Sequence, residues 1–295
     1  MLLAGDVGGT KTLLGLFEPQ QPRPVARVVH SYPTASFAHF TDILDAFARD
    51  VNAGAGAQRA KAAERLTVDA AVFGVAGPVV DNCVMMTNVG MEIAGDDVGR
   101  HLGARRAHLL NDLESMASSI DVLSSDELVT LQDGSPLENG TRAVIAAGTG
   151  LGQAYLHRAN GGWQAVPTEA GHADFAARTD RELELVRMLR DRYGRAEVEQ
   201  VLSGPGLLNL HRFTHRGGQC PVVENLSLPE APALVSQGGL SGRCQGCAEA
   251  LRMFVSAYGA ESGNLALRTM ATAGLYVGSG IARKNLAGVA GRTVM

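Results

Sequence analysis

Cysteine is scarce in this chain. Four in 295 residues make no disulfide framework and imply a reducing, cytoplasmic setting. Long apolar runs are missing too, since none approaches the roughly 18 residues of a membrane span. The opening Met1-Leu2-Leu3-Ala4-Gly5-Asp6 has no basic segment and reaches an acid too early for a signal peptide. Basic charge is not in excess either: 26 Lys+Arg face 30 Asp+Glu, for a net charge of −4. That balance argues against nucleic acid as a partner and against a polybasic membrane surface. The one tryptophan, Trp163, falls in a predicted hairpin, where packing accounts for it better than sugar stacking. What the chain has in plenty is glycine, 36 residues, or about 12% against an ordinary 7% or so. No G-X-Y period accompanies it, so collagen is excluded. The length suits two domains of roughly 100–200 residues each.

The glycines cluster at the ends of apolar runs. Leu2–Val7 reads as a buried strand, followed by Gly8-Gly9-Thr10 and a returning strand from Lys11 to Phe17. Val25–Tyr32 gives a third strand, and Phe37, Phe40, Leu44, Phe47 and Val51 fall on one helical face. Strands at Val68–Ala76 and Ala107–Leu110 stop at Gly77-Pro78 and Asn111-Asp112, and Leu113, Met116, Ala117 and Ile120 then keep helical spacing. The opening pattern recurs later. Ala143–Ala147 is a strand, Gly148-Thr149-Gly150-Leu151-Gly152 a turn, and Gln153–His157 a strand again, with Asn160-Gly161 as a hairpin leading to Trp163–Val166. Two halves built as strand, Gly-Thr turn and returning strand suggest a duplicated domain. Leu183, Val186, Leu189 and Tyr193 predict a helix stopped by Gly194, and a second helix begins near Leu251 and runs toward Met270. Leu275–Val277 is a last strand, ending at Gly278-Ser279-Gly280, and Thr214–Gly242 reads as irregular.

Neither glycine turn fits a better-known nucleotide motif. A Walker A loop needs glycine directly before its lysine, where this chain has Thr10 before Lys11, and no helix follows. The second turn is GxGxG with Gln153 next, and it continues as a hairpin, which excludes the dinucleotide fingerprint. A tight Gly-Gly-Thr hairpin does present backbone N–H groups and a hydroxyl to an anion. An ordinary hairpin is the alternative for either turn alone. Two phosphate-holding hairpins, one in each half, explain both at once. Asp6, at a strand end, is placed to hold Mg²⁺ through water.

The ordered set of segments resembles the bacterial glucokinase family, within the hexokinase–actin–Hsp70 superfamily. It comprises Gly5-Asp6-Val7-Gly8-Gly9-Thr10-Lys11-Thr12, Ala76-Gly77-Pro78, Thr87-Asn88, Leu110-Asn111-Asp112 and Ala147-Gly148-Thr149-Gly150-Leu151-Gly152. It continues with Glu169-Ala170-Gly171-His172-Ala173-Asp174-Phe175, Glu199-Gln200-Val201-Leu202-Ser203-Gly204-Pro205-Gly206 and Gly278-Ser279-Gly280-Ile281. The resemblance implies an α/β, two-domain, actin-like ATPase (ribonuclease H-like) fold, with mixed sheets, flanking helices and an interdomain cleft. Its domains would be 1–110, with the first hairpin, and 111–295, with the rest of the site. It implies ATP-dependent phosphorylation of glucose at the 6-hydroxyl, with Asp112 as general base. Asn88, Asn111, Glu169, His172 and Glu199 would hold the sugar. Gly8, Gly9, Thr10 and Lys11 and then Gly148, Thr149 and Gly150 would hold the phosphates of ATP, with Gly278 and Gly280 on the adenosine side. Family habit adds a homodimer.

The chemistry agrees, because phosphoryl transfer needs an aligned hydroxyl, a neutralised triphosphate and a dry site more than covalent help. A carboxylate at a strand end can take the hydroxyl proton. Each residue also has a plainer reading: Asn111 or Asp112 as a helix N-cap, His172 as a structural histidine, Glu199 as a surface charge. Other functions of the same fold are a non-catalytic sugar sensor and a kinase for another hexose. Cys244-Gln245-Gly246-Cys247 is one CxxC without a second pair, to which Cys220 could add a third ligand. Lacking a thioredoxin-like context, it reads as a structural pair at the start of a helix.

Two departures from the family stand out. Met91 occupies a place where a tryptophan is usual, which would loosen a wall beside the sugar. The stretch from Ala282 to Met295 has no amphipathic period, so the helix that would return to the first domain is expected to be missing or altered, leaving an apolar patch uncovered.

Overall fold

The computed structural model describes residues 1–54, 66–86, 89–159, 161–278 and 280–281. Contacts divide the chain into two compact units, Met1–Leu128 and Val129–Met295.

In the first unit, β1 (Leu2–Val7) and β2 (Lys11–Glu18) form a hairpin, and β3 (Val25–Pro33) pairs antiparallel with β2. Alternation is the reason these strands form: Leu3 and Val7 on β1 and Leu14 and Leu16 on β2 are buried on a common core. Helix α1 (Phe40–Gly54) lays Phe40, Ile43, Leu44 and Phe47 on that core. Strand β4 (Ala70–Val75) follows, and then come a two-stranded ribbon, β5 (Cys83–Met86) and β6 (Met91–Ala94), and the short α2 (Gly95–Leu102). The sequence did not predict these last three. The ribbon strands are four residues each, and α2 is two turns held by Val98, Leu102 and a left-handed Gly103 cap. Strand β7 (Arg106–Asn111) and helix α3 (Asp112–Ser119) complete the unit. The sheet order is β3-β2-β1-β4-β7.

Asn111 pairs with Val75 of β4. Asn111 and Asp112 are therefore part of the first unit, not the start of a second domain as the 110/111 boundary had them. A parallel strand belongs to the sheet it bonds to, however near it lies in sequence to the next domain.

The second unit repeats the opening. Strands β8 (Arg142–Ala147) and β9 (Leu151–Ala159) form a hairpin, β10 (Gly162–Thr168) returns beside β9, and the parallel β11 (Gly274–Gly278) lies on the other side of β8. Trp163 sits between the Arg142 and Arg158 guanidiniums, 4.1 and 4.4 Å from its ring centre. Between β10 and β11 run α4 (Asp180–Tyr193), α5 (Gly204–His215), α6 (Ala231–Leu240) and α7 (Gln245–Thr269). Helix α6 lies inside the segment that reads as irregular. Its Pro232, Gly238 and Gly239 look like breakers, but Pro occupies the first turn, and a Cβ on Gly239 would come 2.8 Å from the Cys247 carbonyl. Gly239 allows α6 to pack closely on α7, and Gly238 makes room for Val222. No described helix is long and apolar enough to cross a membrane. The expected C-terminal departure, at 282–295, lies outside the described residues.

Candidate active site

In the first unit, β1, β4 and β7 run parallel and in register, with Val7 opposite Val75 and Val75 opposite Asn111. Their carboxyl ends thus bring three connections to one edge: the Gly8-Gly9-Thr10 turn, Ala76-Gly77-Pro78, and Asn111-Asp112. Ligands of parallel sheets collect at that edge. The Gly8 N–H donates to the Lys11 carbonyl at 3.0 Å, and Asp6, Thr10 and Lys11 are exposed. Thr34 supports the turn from behind. Its hydroxyl donates to the Gly8 carbonyl (2.7 Å) and lies 2.9 Å from the Thr12 hydroxyl, and its N–H donates to the Thr10 carbonyl (3.1 Å). Nothing in the sequence marks Thr34, which acts across a separation of 26 residues.

Asn111 caps α3, as its residue type predicts. Its Oδ1 accepts the Leu113 N–H at 2.9 Å, while Nδ2 donates to the Gly77 carbonyl at 3.1 Å. The amide therefore ties the Gly77 turn to the start of α3. Asp112, the first residue of that helix, is exposed, and its Oδ1 accepts the Leu113 N–H at 2.8 Å. Glu114 bonds back to the Asn111 N–H, and burial raises its pKa above the ordinary carboxylate value. A cavity of about 460 Å³ opens beside this edge, lined by Gly9, Gly77, Pro78, Met86 and Glu92 among others. Met91 does not wall it. At 3% exposure it is part of the first core. Asn88 lies outside the described residues.

In the second unit the turn after β8 is backed by a carboxylate. Gly148 N–H donates to the Gly150 carbonyl (2.7 Å), Gly204 N–H to the Gly148 carbonyl (2.8 Å), and Leu151 N–H to Glu199 Oε2 (2.7 Å). A Cβ on Gly150 would stand 2.6 Å from that oxygen, whereas one on Gly148 would meet nothing within 4 Å. The glycine at 150 admits Glu199, and the glycine at 148 leaves space open in front of the turn. The Glu199 N–H in turn donates to the Gly171 carbonyl (2.9 Å). Turn, Glu199 and the Glu169–His172 segment are thereby one hydrogen-bonded assembly.

His172 Nδ1 lies 3.0 Å from Glu197 Oε2. That bond raises the histidine pKa, burial opposes it, and the nearby charges of Glu199, Glu197 and Glu169 add to the rise. The structure thus brings Glu169, His172 and Glu199 together and adds Glu197, which sequence reasoning passed over; two residues before Glu199, it looks like one more surface acid. Gly278 pairs with Ala146 at the carboxyl end of β8, which places the end of β11 beside the second turn. Tyr258 of α7 steadies β8, its hydroxyl 3.3 Å from both the Ala147 N–H and the Ile145 carbonyl.

Known proteins resemble this chain over nearly its whole length. The sequence model of the family described as Glucokinase matches residues 3–293. A glucokinase of Synechocystis is 33% identical over 307 residues, covering 96% of this chain and 84% of the relative. The crystal structure of a glucokinase from an Antarctic psychrotroph superposes with a TM-score of 0.81 at 25% identity, covering 98% of this chain and 86% of that one. A ROK-family glucokinase from Streptomyces griseus, solved with glucose and AMPPNP, has a TM-score of 0.58 at 18% identity, covering 96% and 84%. The α/β fold with mixed sheets is the actin-like ATPase fold these sugar kinases share.

Proposed function

The chain belongs to the glucokinase family and phosphorylates glucose with ATP; we propose that the 6-hydroxyl is the acceptor and that Asp112 takes its proton. The observation that carries this reading is the shared edge of β1, β4 and β7, at which the first glycine turn and Asp112 both lie. A base beside a phosphate-holding turn is what in-line transfer to a hydroxyl requires.

In this reading Asn111 positions Asp112 and offers the sugar its second Nδ2 hydrogen, with Asn88 joining it. Glu169, His172 and Glu199 hold further hydroxyls, supplying acceptors and, from His172, a donor. Gly8, Gly9, Thr10 and Lys11 hold phosphate oxygens from the first unit. Gly148, Thr149 and Gly150 hold them from the second, supported by the space before Gly148 that a Cβ would fill. Gly278 and Gly280 leave room for the adenosine side. The donor set also fits Mg²⁺. Asp6 is an exposed carboxylate two residues before the first turn, suited to hold the ion through water. The ion, when bound, neutralises charge on the triphosphate. Four unpaired cysteines suit a reducing cytoplasm, and a homodimer is the assembly to look for by light scattering.

A coupled ADP-release assay across a panel of hexoses tests the reading. Glucose should give the highest kcat/KM, and Asp112→Ala should remove turnover while calorimetric glucose binding persists. Glucose binding without ADP release by the unaltered chain would overturn it.

A further inference from the structure

Away from the glycine turns, the second unit gathers five soft donors. His211 and His215 stand four residues apart on α5 and so share a face; their rings stack with centroids 3.8 Å apart. Cys220 follows in the connection after α5, and Cys244 and Cys247 come from the first turn of α7. Cys220 Sγ lies 3.7 Å from Cys244 Sγ and 3.6 Å from Cys247 Sγ, and His215 Nε2 lies 3.2 Å from Cys244 Sγ. Tetrahedral zinc, with Zn–S near 2.3 Å and Zn–N near 2.0 Å, has S···S edges of about 3.8 Å and S···N edges of about 3.5 Å. The observed separations match those edges to a few tenths of an ångström. Ligand atoms of His211, His215, Cys220 and Cys247 also all fall within 4.8 Å of one another.

Three further features point the same way. His215 Nδ1 lies 2.8 Å from the His211 carbonyl. A histidine that donates from Nδ1 to a carbonyl presents the Nε2 lone pair, the usual outer bond of a metal-bound imidazole. Gly246, inside the CxxC, has the His215 ring where a side chain would be: a Cβ there would stand 2.6 Å from Cε1. Both ring nitrogens of His211 are buried without a hydrogen-bond partner, which makes His211 the competing imidazole for the fourth position.

We propose that this cluster is a structural zinc site, with Cys220, Cys244, Cys247 and His215 as ligands and His211 as the imidazole stacked behind His215. The soft thiolate-rich set favours zinc over hard cations. On binding, three thiols lose their protons, leaving three thiolates and a neutral imidazole on Zn²⁺ with net charge −1. The ion ties the end of α5 to the start of α7 and closes the connection that carries α6, 24 and 27 residues from Cys220 to its two partners. Because the unfolded chain holds no formed site, the binding free energy of the ion adds to the stability of the folded unit.

The test uses the full chain, purified reduced and without chelator. Elemental analysis should find about one zinc per chain, and a thiol reagent should modify the exposed Cys83 quickly and the other three only after chelation. Titration of the apoprotein with Co²⁺ should give the absorption of a tetrahedral, thiolate-ligated ion. His215→Gln should weaken Co²⁺ by ~100-fold or more, and His211→Gln by less, within the 10–100-fold typical of an outer-shell change. The reverse order would move the fourth ligand to His211 and overturn the set. Gly246→Ala should weaken binding by crowding His215. Reduced, unaltered protein that takes up neither zinc nor cobalt at stoichiometric concentration overturns the proposal, as does a Cys244–Cys247 disulfide in metal-free protein freshly isolated. The measurements on the unaltered chain stand even if a cysteine variant fails to fold.

Discussion

In the first unit the Gly8–Thr10 turn is held from behind by the Thr34 hydroxyl and N–H, whereas in the second the Gly148–Gly150 turn is held by the Glu199 carboxylate. The strands around both turns are alike, a three-stranded antiparallel ribbon followed by a parallel strand. What differs is charge. A hydroxyl support is neutral and leaves the exposed Asp6 and Lys11 to set the potential at the turn. A carboxylate makes a stronger, charge-assisted bond, but it brings a negative charge toward the place where phosphate would sit. The second turn gains something in exchange: Glu199 also bonds Gly171, so the segment carrying Glu169 and His172 is tied to the turn. The comparison teaches that two copies of one hairpin can divide the work. Under the proposed assignment, the first turn, with Asp6 and Lys11 exposed beside it, would hold phosphate, and the second would couple phosphate to sugar.

The largest expected effect separates chemistry from coupling. If the first unit holds the base, Asp112→Ala lowers kcat by roughly 10²–10⁴-fold, the range for lost general-base catalysis, with KM for glucose within a few-fold. Unchanged steady-state turnover would break the assignment of the base to that unit. Next come the two supports. Glu199→Ala removes a charge-assisted bond worth roughly 1.5–3 kcal/mol and should raise KM for glucose and ATP together. Thr34→Val should cost about 1–2 kcal/mol, because it strands the buried Thr12 hydroxyl, and should raise KM for ATP alone. If both variants move the same constants in steady-state kinetics, the division of labour is wrong.

Smaller effects distinguish the two glycines of the second turn. Gly150→Ala forces Glu199 away and should lower the melting temperature. Gly148→Ala should leave it nearly unchanged while weakening nucleotide binding measured by calorimetry. The smallest effect is a pH dependence. The pKa of His172 is raised in the folded state, so its contribution to stability is fully present below the unfolded value near 6.5 and fades as pH rises through the folded value. In Glu197→Gln, ring resonances of His172 should titrate closer to that ordinary value. An unmoved titration would remove Glu197 from the assembly.

Much of the site could be read in the sequence because its turns are written locally. Gly8-Gly9-Thr10 and Gly148-Thr149-Gly150 end strands whose alternation is plain over six to nine residues. Asn111-Asp112 combines a strand end with an N-cap, and both prove true of the same residue pair. The contact units divide after Leu128 rather than at 110/111 because the pairing of β7 with β4 is a contact between distant segments. Helix α6 has no helical signature because Gly238 and Gly239 are helix breakers by propensity, yet one makes room for Val222 and the other for the backbone of α7. Thr34, Glu197 and Tyr258 carry no local signature; each matters through one hydrogen bond to a residue far along the chain.

The scarcity of cysteine shows the same division. The sequence alone determined the two glycine turns and the strands that flank them, because backbone preferences and hydrophobic period act over a few residues. It could count one CxxC and a stray Cys220, but it could not find a fourth ligand. Only the tertiary structure decided that α5 ends against the first turn of α7, which brings His215 to within 3.2 Å of Cys244. Such a meeting depends on the packing of whole helices, and no short stretch of chain encodes it.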